Sequence, residues 1–239
     1  MMGMVFPAVL AETGSSAGIF TYFADSNWAG QGIVVLLAVL SMWAWTIIFT
    51  KMGELRRLHR ANSLHAEKFR ALSNVLQHPP DFFQGAGSPL LQLYARAVEA
   101  YRKIETSSSL SDDEMARQRM GHVENALRRK VSELTDRYEE KMVFLASIVS
   151  GAPFLGLLGT TWGVMDAFGA IAYSTGSASI KDLGPGVSGA LLTTVAALLV
   201  AIPSVFLYNY LLRKTRQEIT KLENYASEVA DRIELDASR

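Results

Sequence analysis

The chain has 239 residues, of which 49% are hydrophobic, and its 23 basic side chains balance its 23 acidic ones. The zero net charge removes any general argument for nucleic-acid binding, and the lack of cysteine excludes disulfides and thiol-ligated metals. Charged residues are segregated: none lies between Asp25 and Lys51, between Lys141 and Asp166, or between Asp182 and Arg213. Each gap reaches the roughly 20 residues that a membrane-spanning helix needs. We therefore predict an all-α membrane protein with three transmembrane helices.

The basic residues determine the predicted orientation. Except for Lys181, every Lys and Arg lies within 51–141 or 213–239. Positive charge is retained on the cytoplasmic side, so the N-terminus is predicted to be periplasmic and the C-terminus cytoplasmic, in a bacterial inner membrane. The predicted segments are a periplasmic N-terminal segment with an amphipathic helix (1–29), span one (30–50), a cytoplasmic helical domain (51–141), span two (142–167), a periplasmic turn (168–186), span three (187–212) and a cytoplasmic C-terminal helix (213–239).

The N-terminal segment is predicted to lie on membrane lipid rather than to be a cleaved signal peptide. Ala8 to Ala11 resemble a cleavage site, but the apolar run before them is very short and no basic residue precedes it. Ser16 is a candidate cap for a short helix whose aromatic residues, from Phe20 to Trp28, suit the lipid interface. Span one has few small or polar residues, so it is expected to face lipid.

Two apolar stripes extend spans two and three as long helices into the cytoplasmic domain. A capping box at Ser111 and Glu114 begins a helix. Its apolar face is predicted to run straight into span two through Val123, Leu127, Val131, Leu134, Tyr138, Met142 and Leu145. After Arg213 a coiled-coil-like stripe consists of Ile219, Leu222, Ala226, Val229 and Ile233. These stripes pack on each other or on neighbouring copies, and we expect an oligomer.

Small residues recur every four positions in spans two and three. The two series are Gly159, Gly163 and Ala167, and Gly189, Thr193, Ala197 and Ala201. This spacing lets helix backbones approach closely in lipid, so helix packing explains most of these residues. Pro153 and Pro203 each remove a helical hydrogen bond and can kink their spans. A hinge used during gating is the alternative interpretation.

Four hydroxyls lie well inside the same spans, those of Thr160, Thr161, Thr193 and Thr194. A lone threonine often bonds the carbonyl three or four residues back in its own helix, whereas two pairs in adjacent helices favour a shared polar surface. A threonine does not titrate near neutral pH, but it can bond a carboxylate, water or hydronium. The chain is therefore predicted to line a proton path without supplying the titrating group.

Asp166, near the outer end of span two, has two interpretations. It is either an interfacial residue that bonds a neighbouring loop, Lys181 or water, or an outer-mouth carboxylate that gathers protons or pairs with a partner protein. The sequence has no second acid beside it, no nucleophile–base set and no cofactor motif, so we predict that the chain is not an enzyme. Histidines without metal-ligand spacing are expected at the surface; they are His59, His65, His78 and His122.

These motifs resemble the MotA/TolQ/ExbB proton-channel family, and most closely its TolQ and ExbB branch. The resemblance covers all three spans and the topology. Its most specific parts are the stretches 153–165, 184–187, 190–194, 201–203 and 208–209. The cytoplasmic insertion is similar only in length and helical character.

The resemblance implies a ring of identical subunits, pentameric in the family, around the transmembrane helices of two copies of an ExbD/TolR-like partner. Spans two and three would line the ring interior, with the functional threonines at Thr160 and Thr194. The single membrane aspartate of the partner would carry the proton. Proton flow would then rearrange the partner and drive work in the periplasm or at the outer membrane.

The chain departs from this pattern at two positions. TolQ and ExbB carry a glutamate five residues before the functional threonine of span three, where this chain has Gly189. They carry histidine or asparagine where this chain has Asp166. The leading hypothesis is a proton-conducting motor subunit, and the alternative, favoured by Gly189, is a scaffold that holds a partner without conducting. The downstream task and coupling to sodium rather than protons remain open.

Overall fold

The structure is a computed structural model that describes residues 19–24, 26–72, 74–77, 88–103, 112–172 and 180–238. Every regular element in these ranges is an α-helix. The helices are α1 (Ile19–Ala24), α2 (Trp28–Arg70), α3 (Pro89–Arg102), α4 (Asp112–Glu139), α5 (Met142–Ala172) and α6 (Ile180–Ala237). Segments long and apolar enough to cross a membrane lie in α2, α5 and α6. The prediction of an all-α membrane protein with three spans is confirmed.

The described residues form two compact units. We name the first, 1–45 with 146–206, the apolar unit, because Asp166 is the one charged side chain that the structure describes there. We name the second, 46–145 with 207–239, the charged unit. The candidate site lies in the apolar unit, whose described helical parts are α1 and segments of α2, α5 and α6.

The connection between α4 and α5 differs from the uninterrupted helix that the apolar stripe predicts. Glu140 and Lys141 form a turn, and Lys141 has φ 68°, a left-handed conformation that a non-glycine residue adopts only at some cost in energy. The Lys141 carbonyl accepts the Leu145 N–H at 3.1 Å, so the next helix begins directly after the turn. The stripe nevertheless continues, since Tyr138 and Met142 on either side of the turn are both buried.

The charged unit buries both predicted stripes. In α4 and the start of α5 the buried stripe residues are Val123, Leu127, Leu134, Tyr138, Met142 and Leu145. In α6 they are Leu222, Ala226, Val229 and Ile233. Helix α3 packs against α4 and begins as its sequence indicates, with Ser88 as the N-cap and Pro89 in the first turn. The predicted cap Ser111 lies outside the described residues.

One histidine lies in the core of the charged unit, so the surface position expected for it was wrong. His65 is 5% exposed, and its Nε2 lies 2.7 Å from the Tyr225 hydroxyl. It shares a face of α2 with the buried Asn62 and Phe69, at spacings of three and four residues. Burial, assisted by the charge of Lys68, lowers the pKa of His65 from 6.5 to about 4.

The neutral His65 should make the charged unit sensitive to acid. The unfolded chain binds this proton with the ordinary pKa of 6.5 and the folded chain only near 4, so the unfolded state holds more protons between these values. The free energy of unfolding should fall as the pH falls through this window, by about 2 kcal/mol at pH 5. Amide exchange in the charged unit of the full chain, corrected for intrinsic rates, should then be about 30-fold faster at pH 5 than at pH 8.

His65→Gln is the matched control for this acid sensitivity. Glutamine keeps a donor and an acceptor for Tyr225 but does not titrate, so most of the pH dependence of exchange should disappear. Equal acid sensitivity in the variant would contradict the role assigned to His65.

Candidate functional site

Three threonine hydroxyls converge on one backbone carbonyl, that of Gly156 in α5. Thr194 of α6 donates to it across the helix–helix contact, at 3.1 Å. The hydroxyls of Thr193 and Thr160 lie 3.1 and 3.4 Å from the same oxygen, and each makes a shorter bond to a carbonyl of its own helix. We name Thr160, Thr193 and Thr194 the threonine cluster. It joins the two hydroxyl pairs of the sequence through a shared acceptor.

The shortest hydrogen bond of each hydroxyl distinguishes own-helix bonding from bonding between the spans. In α5, Thr160 and Thr161 donate to the Leu157 carbonyl of their own helix, at 2.8 and 3.0 Å. In α6, Thr193 donates to the Ala190 carbonyl of its own helix at 2.7 Å, whereas Thr194 donates to the Gly156 carbonyl of the neighbouring span at 3.1 Å. Three hydroxyls are therefore bonded mainly within their own helix, and that of Thr194 joins the two spans.

The threonines also differ in their exposure. Thr193 is 0% exposed, which favours a packing role for it. Thr160 and Thr194 are half-buried, and Thr161 is exposed. A hydroxyl that donates to a carbonyl keeps lone pairs for accepting a hydrogen bond. Thr160 and Thr194 can therefore accept a hydrogen bond from a protonated carboxyl group or from water.

Glycines make the close approach of α5 and α6 possible. A Cβ atom at Gly156 would lie 2.6 Å from the Ala197 Cβ, and one at Gly163 would lie 2.6 Å from the Ala190 Cβ. A Cβ at Gly159 would overlap Thr193, with its Cβ at 2.6 Å. The packing interpretation of Gly159 and Gly163 agrees with this geometry.

Asp166 is exposed near the C-terminal end of α5, and among the described residues it accepts a hydrogen bond from Asn27. The Asn27 side-chain amide, just before α2, donates to Asp166 Oδ2 at 3.2 Å. This geometry agrees with the interpretation that Asp166 bonds a neighbouring loop. The side chain of Lys181, the other partner considered, lies outside the described residues.

Gly189 of α6 packs on the same loop, since the three atoms nearest to a Cβ at this position all belong to Ser26. A Cβ atom at position 189 would lie 2.7 Å from Ser26 Oγ and 2.9 Å from Ser26 Cα. Ser26 is 8% exposed, and its hydroxyl donates to the Tyr22 carbonyl at 2.8 Å. The α6 residues nearest to the close-packed glycines of α5 are Ala190, Thr193, Thr194 and Ala197.

The prolines lie inside continuous helices. Pro153 is in α5 and Pro203 in α6, so each lacks the N–H that would bond the preceding turn. Helix α6 begins at Ile180, ahead of the predicted start of span three at Val187, and therefore also contains Pro185. The choice between a fixed kink and a gating hinge at Pro153 and Pro203 remains a prediction.

Gly156, Ser26 and Asn27 were not predicted from the sequence as site residues. A signal existed for Gly156, because it lies three and seven residues before Gly159 and Gly163, on one helical face. No local signal existed for Asn27, whose contact is 139 residues away in the sequence.

A sequence model of the MotA/TolQ/ExbB proton channel family matches residues 94–224, which is more than half of the chain and contains the whole threonine cluster. The chain belongs to this family. The biopolymer transport protein ExbB of Xanthomonas campestris pv. campestris is 30% identical over 95% of this chain and 88% of the relative. ExbB of Neisseria meningitidis serogroup A is 29% identical over 84% of this chain and 90% of its own length.

A relative named TolQ is similar over a comparable length. The Tol-Pal system protein TolQ of Pseudomonas aeruginosa is 26% identical over 88% of this chain and 90% of the relative. The resemblance to the TolQ and ExbB branch of the MotA/TolQ/ExbB family is thus confirmed. Together with the three apolar helices, this membership identifies a multi-pass bacterial membrane protein.

Proposed function

We propose that the chain is a proton-conducting motor subunit of the TolQ/ExbB kind. Five copies would form a ring around two copies of an ExbD/TolR-like single-span partner in the inner membrane. The N-terminus would be periplasmic and the C-terminus cytoplasmic, with segment bounds near those predicted from the charge pattern. The subunit would use the proton-motive force to drive work in the periplasm or at the outer membrane, without catalysing a chemical reaction.

The observation that carries this proposal is the threonine cluster. It lies in a unit whose other described side chains are almost all apolar, and two of its hydroxyls, Thr160 and Thr194, are only half-buried. In a low-dielectric environment such hydroxyls are strong ligands for a proton-carrying carboxyl group. The membrane aspartate of the partner would supply that group, because a threonine cannot carry the proton itself.

The alternative function is a scaffold that holds the partner and conducts nothing. The contact of Ser26 with Gly189 favours it, since the loop occupies the space that an acidic side chain at position 189 would need. The same contact is compatible with a motor only when another carboxylate serves the outer end of the path. Asp166 is the candidate in this chain.

Cysteine crosslinking to the partner distinguishes the two functions. The chain has no cysteine, so each introduced one reports on a single position. Thr161→Cys on the exposed part of α5 should crosslink to the transmembrane helix of an ExbD/TolR-like partner, whereas Val39→Cys on the exposed face of α2 should not. In a motor, the yield at position 161 should change several-fold when a protonophore collapses the proton gradient. An identical yield with and without the gradient would favour the scaffold.

A further inference from the structure

The short connection between α1 and α2 is held in place by its own hydrogen bonds. We name Ser26 and Asn27 the N-terminal clasp. Asn27 caps α2, because its Oδ1 accepts the Gly30 N–H at 2.8 Å. Gln31 Nε2 donates to the carbonyls of Phe23 and Ser26, at 3.2 Å each. The clasp is therefore fixed to the start of α2 and does not depend on Asp166 for its conformation.

The cap determines which end of the Asn27 amide faces Asp166. Since Oδ1 accepts from the Gly30 N–H, Nδ2 is the atom directed at Asp166 Oδ2, 3.2 Å away. An amide nitrogen only donates, so this bond matches a charged carboxylate. Asn27 thus connects the first turn of α2 to an acidic group on α5 in a single orientation.

Gly189 provides the seat of the clasp on α6. Its missing side chain leaves the space in which Ser26 lies, with Ser26 Cα only 2.9 Å from the position of a Cβ atom. A backbone atom at this distance cannot rotate away, so any side chain at position 189 would displace the clasp. The clasp consequently touches α5 through Asn27 and α6 through Ser26.

Asp166 is electrostatically isolated among the described side chains of the apolar unit. Tyr22 is the one other ionisable side chain described there, and it lies in α1. The side chains of Lys181 and Asp182, at the start of α6, lie outside the described residues. Among the described groups, the Asn27 amide is therefore the polar partner that fixes the position of the Asp166 carboxylate.

We propose that Asn27 is a positioning residue that holds Asp166 as the proton-collecting carboxylate of the apolar unit. Gly189 is the seat that keeps Asn27 in place, because its missing side chain leaves room for Ser26. The proposal rests on the proposed function for the proton role of Asp166. The pairing and the seat are properties of the single subunit. They can be measured without transport or a partner protein.

The test follows the carboxylate stretching bands of Asp166 by infrared difference spectroscopy of the full chain in lipid, with Asp166→Asn to assign the bands. Asn27→Ser keeps a helix cap but has no amide donor, so the bands should move to the frequencies of a carboxylate that lacks the Asn27 hydrogen bond. Asn27→Asp keeps the cap and also lacks the amide donor, so the bands should move in the same way. Unchanged bands in both variants would overturn the proposal.

The seat is tested with a matched pair of glycines in α6. Gly189→Ala should displace the clasp and shift the Asp166 bands in the same direction as Asn27→Ser, although residue 189 does not bond Asp166. Gly184→Ala, where a Cβ atom would meet nothing within 4 Å, should leave the bands unchanged. Equal band positions in the two alanine variants would overturn the assignment of Gly189 as the seat.

Proton flux separates this inference from the proposed function. In vesicles containing the chain and its partner, the proton flux should fall several-fold in Asn27→Ser, in which the infrared bands of Asp166 shift. A band shift without any flux in the wild type would overturn the proton role of Asp166 and leave the pairing established. A flux that is the same in Asn27→Ser as in the wild type, while the bands shift, would overturn the proton-collecting role alone.

Discussion

Gly159→Ala should prevent α5 and α6 from packing at their present distance. The added Cβ would lie 2.6 Å from the Cβ of the fully buried Thr193, an atom that no change of side-chain rotamer can move. Forced separation of a packed interface costs about 1–3 kcal/mol, and it would also lengthen the bonds to the Gly156 carbonyl. We expect a sharply lower yield of folded protein in the membrane and a lower thermal unfolding temperature in detergent.

Two other glycines of α5 serve as controls for this effect. A Cβ atom at Gly151 or Gly169 would meet nothing within 4 Å, so Gly151→Ala and Gly169→Ala should behave as the wild type or slightly better. If Gly159→Ala matched these controls in yield and unfolding temperature, the α5–α6 contact would be incorrect.

Thr194→Val should abolish proton-coupled work while leaving the complex assembled. Valine matches the shape of threonine but lacks the hydroxyl, so the loss in packing stability should be limited to about 1 kcal/mol for the bond to the Gly156 carbonyl. The half-buried hydroxyl is the proposed ligand of the proton carrier, and its removal should reduce flux by at least tenfold. Thr160→Ala should reduce flux to the same extent, because the Thr160 hydroxyl lies beside the same Gly156 carbonyl.

Matched substitutions separate transport from folding at this position. Thr194→Ser keeps the hydroxyl and should retain most of the flux, with co-purification of the partner confirming assembly in every variant. Thr193→Val, at the fully buried member of the cluster, should instead lower the unfolding temperature. Normal flux in both Thr160→Ala and Thr194→Val would contradict the proposal that these hydroxyls are ligands of the proton carrier.

The three candidate membrane spans could be predicted because they depend on long uncharged segments. Three such segments, bounded by Lys51, Asp166 and Arg213 among others, correspond to the three candidate spans in α2, α5 and α6. The burial of the apolar stripe of α6 was predicted equally well, since Leu222 and Val229 are both 0% exposed. In both cases the buried or membrane-spanning residues follow one another at regular spacing or in one run, so the pattern can be seen in the sequence.

Contacts between distant residues were not readable in this way. A spacing of four predicted Gly189 as a packing residue, but it did not indicate Ser26, whose atoms lie nearest to a Cβ at this position. The pairing of Asn27 with Asp166 depends on where the connection before α2 ends, which no periodicity encodes. His65 was missed because a polar residue at a buried position breaks the apolar pattern, although Tyr225 satisfies it.

The turn before α5 could not be predicted from the sequence either. The apolar stripe passes through residues 140 and 141 without a change in period, and neither residue is glycine or proline. A lysine at φ 68° is a local conformation that the surrounding packing maintains against its intrinsic preference. Stripe periodicity therefore predicted which residues are buried, but not where the helix is interrupted.

Proton flux into vesicles tests the central claim most directly. The chain would be reconstituted with an ExbD/TolR-like partner, with the partner lacking its membrane aspartate, or alone, and an imposed pH gradient would be followed with an internal pH dye. We predict that only the complex with the intact partner dissipates the gradient, and that Thr194→Val returns its rate to the level of the chain alone. Gradient decay at the same slow rate in all of these vesicles would contradict the account and identify a non-conducting scaffold.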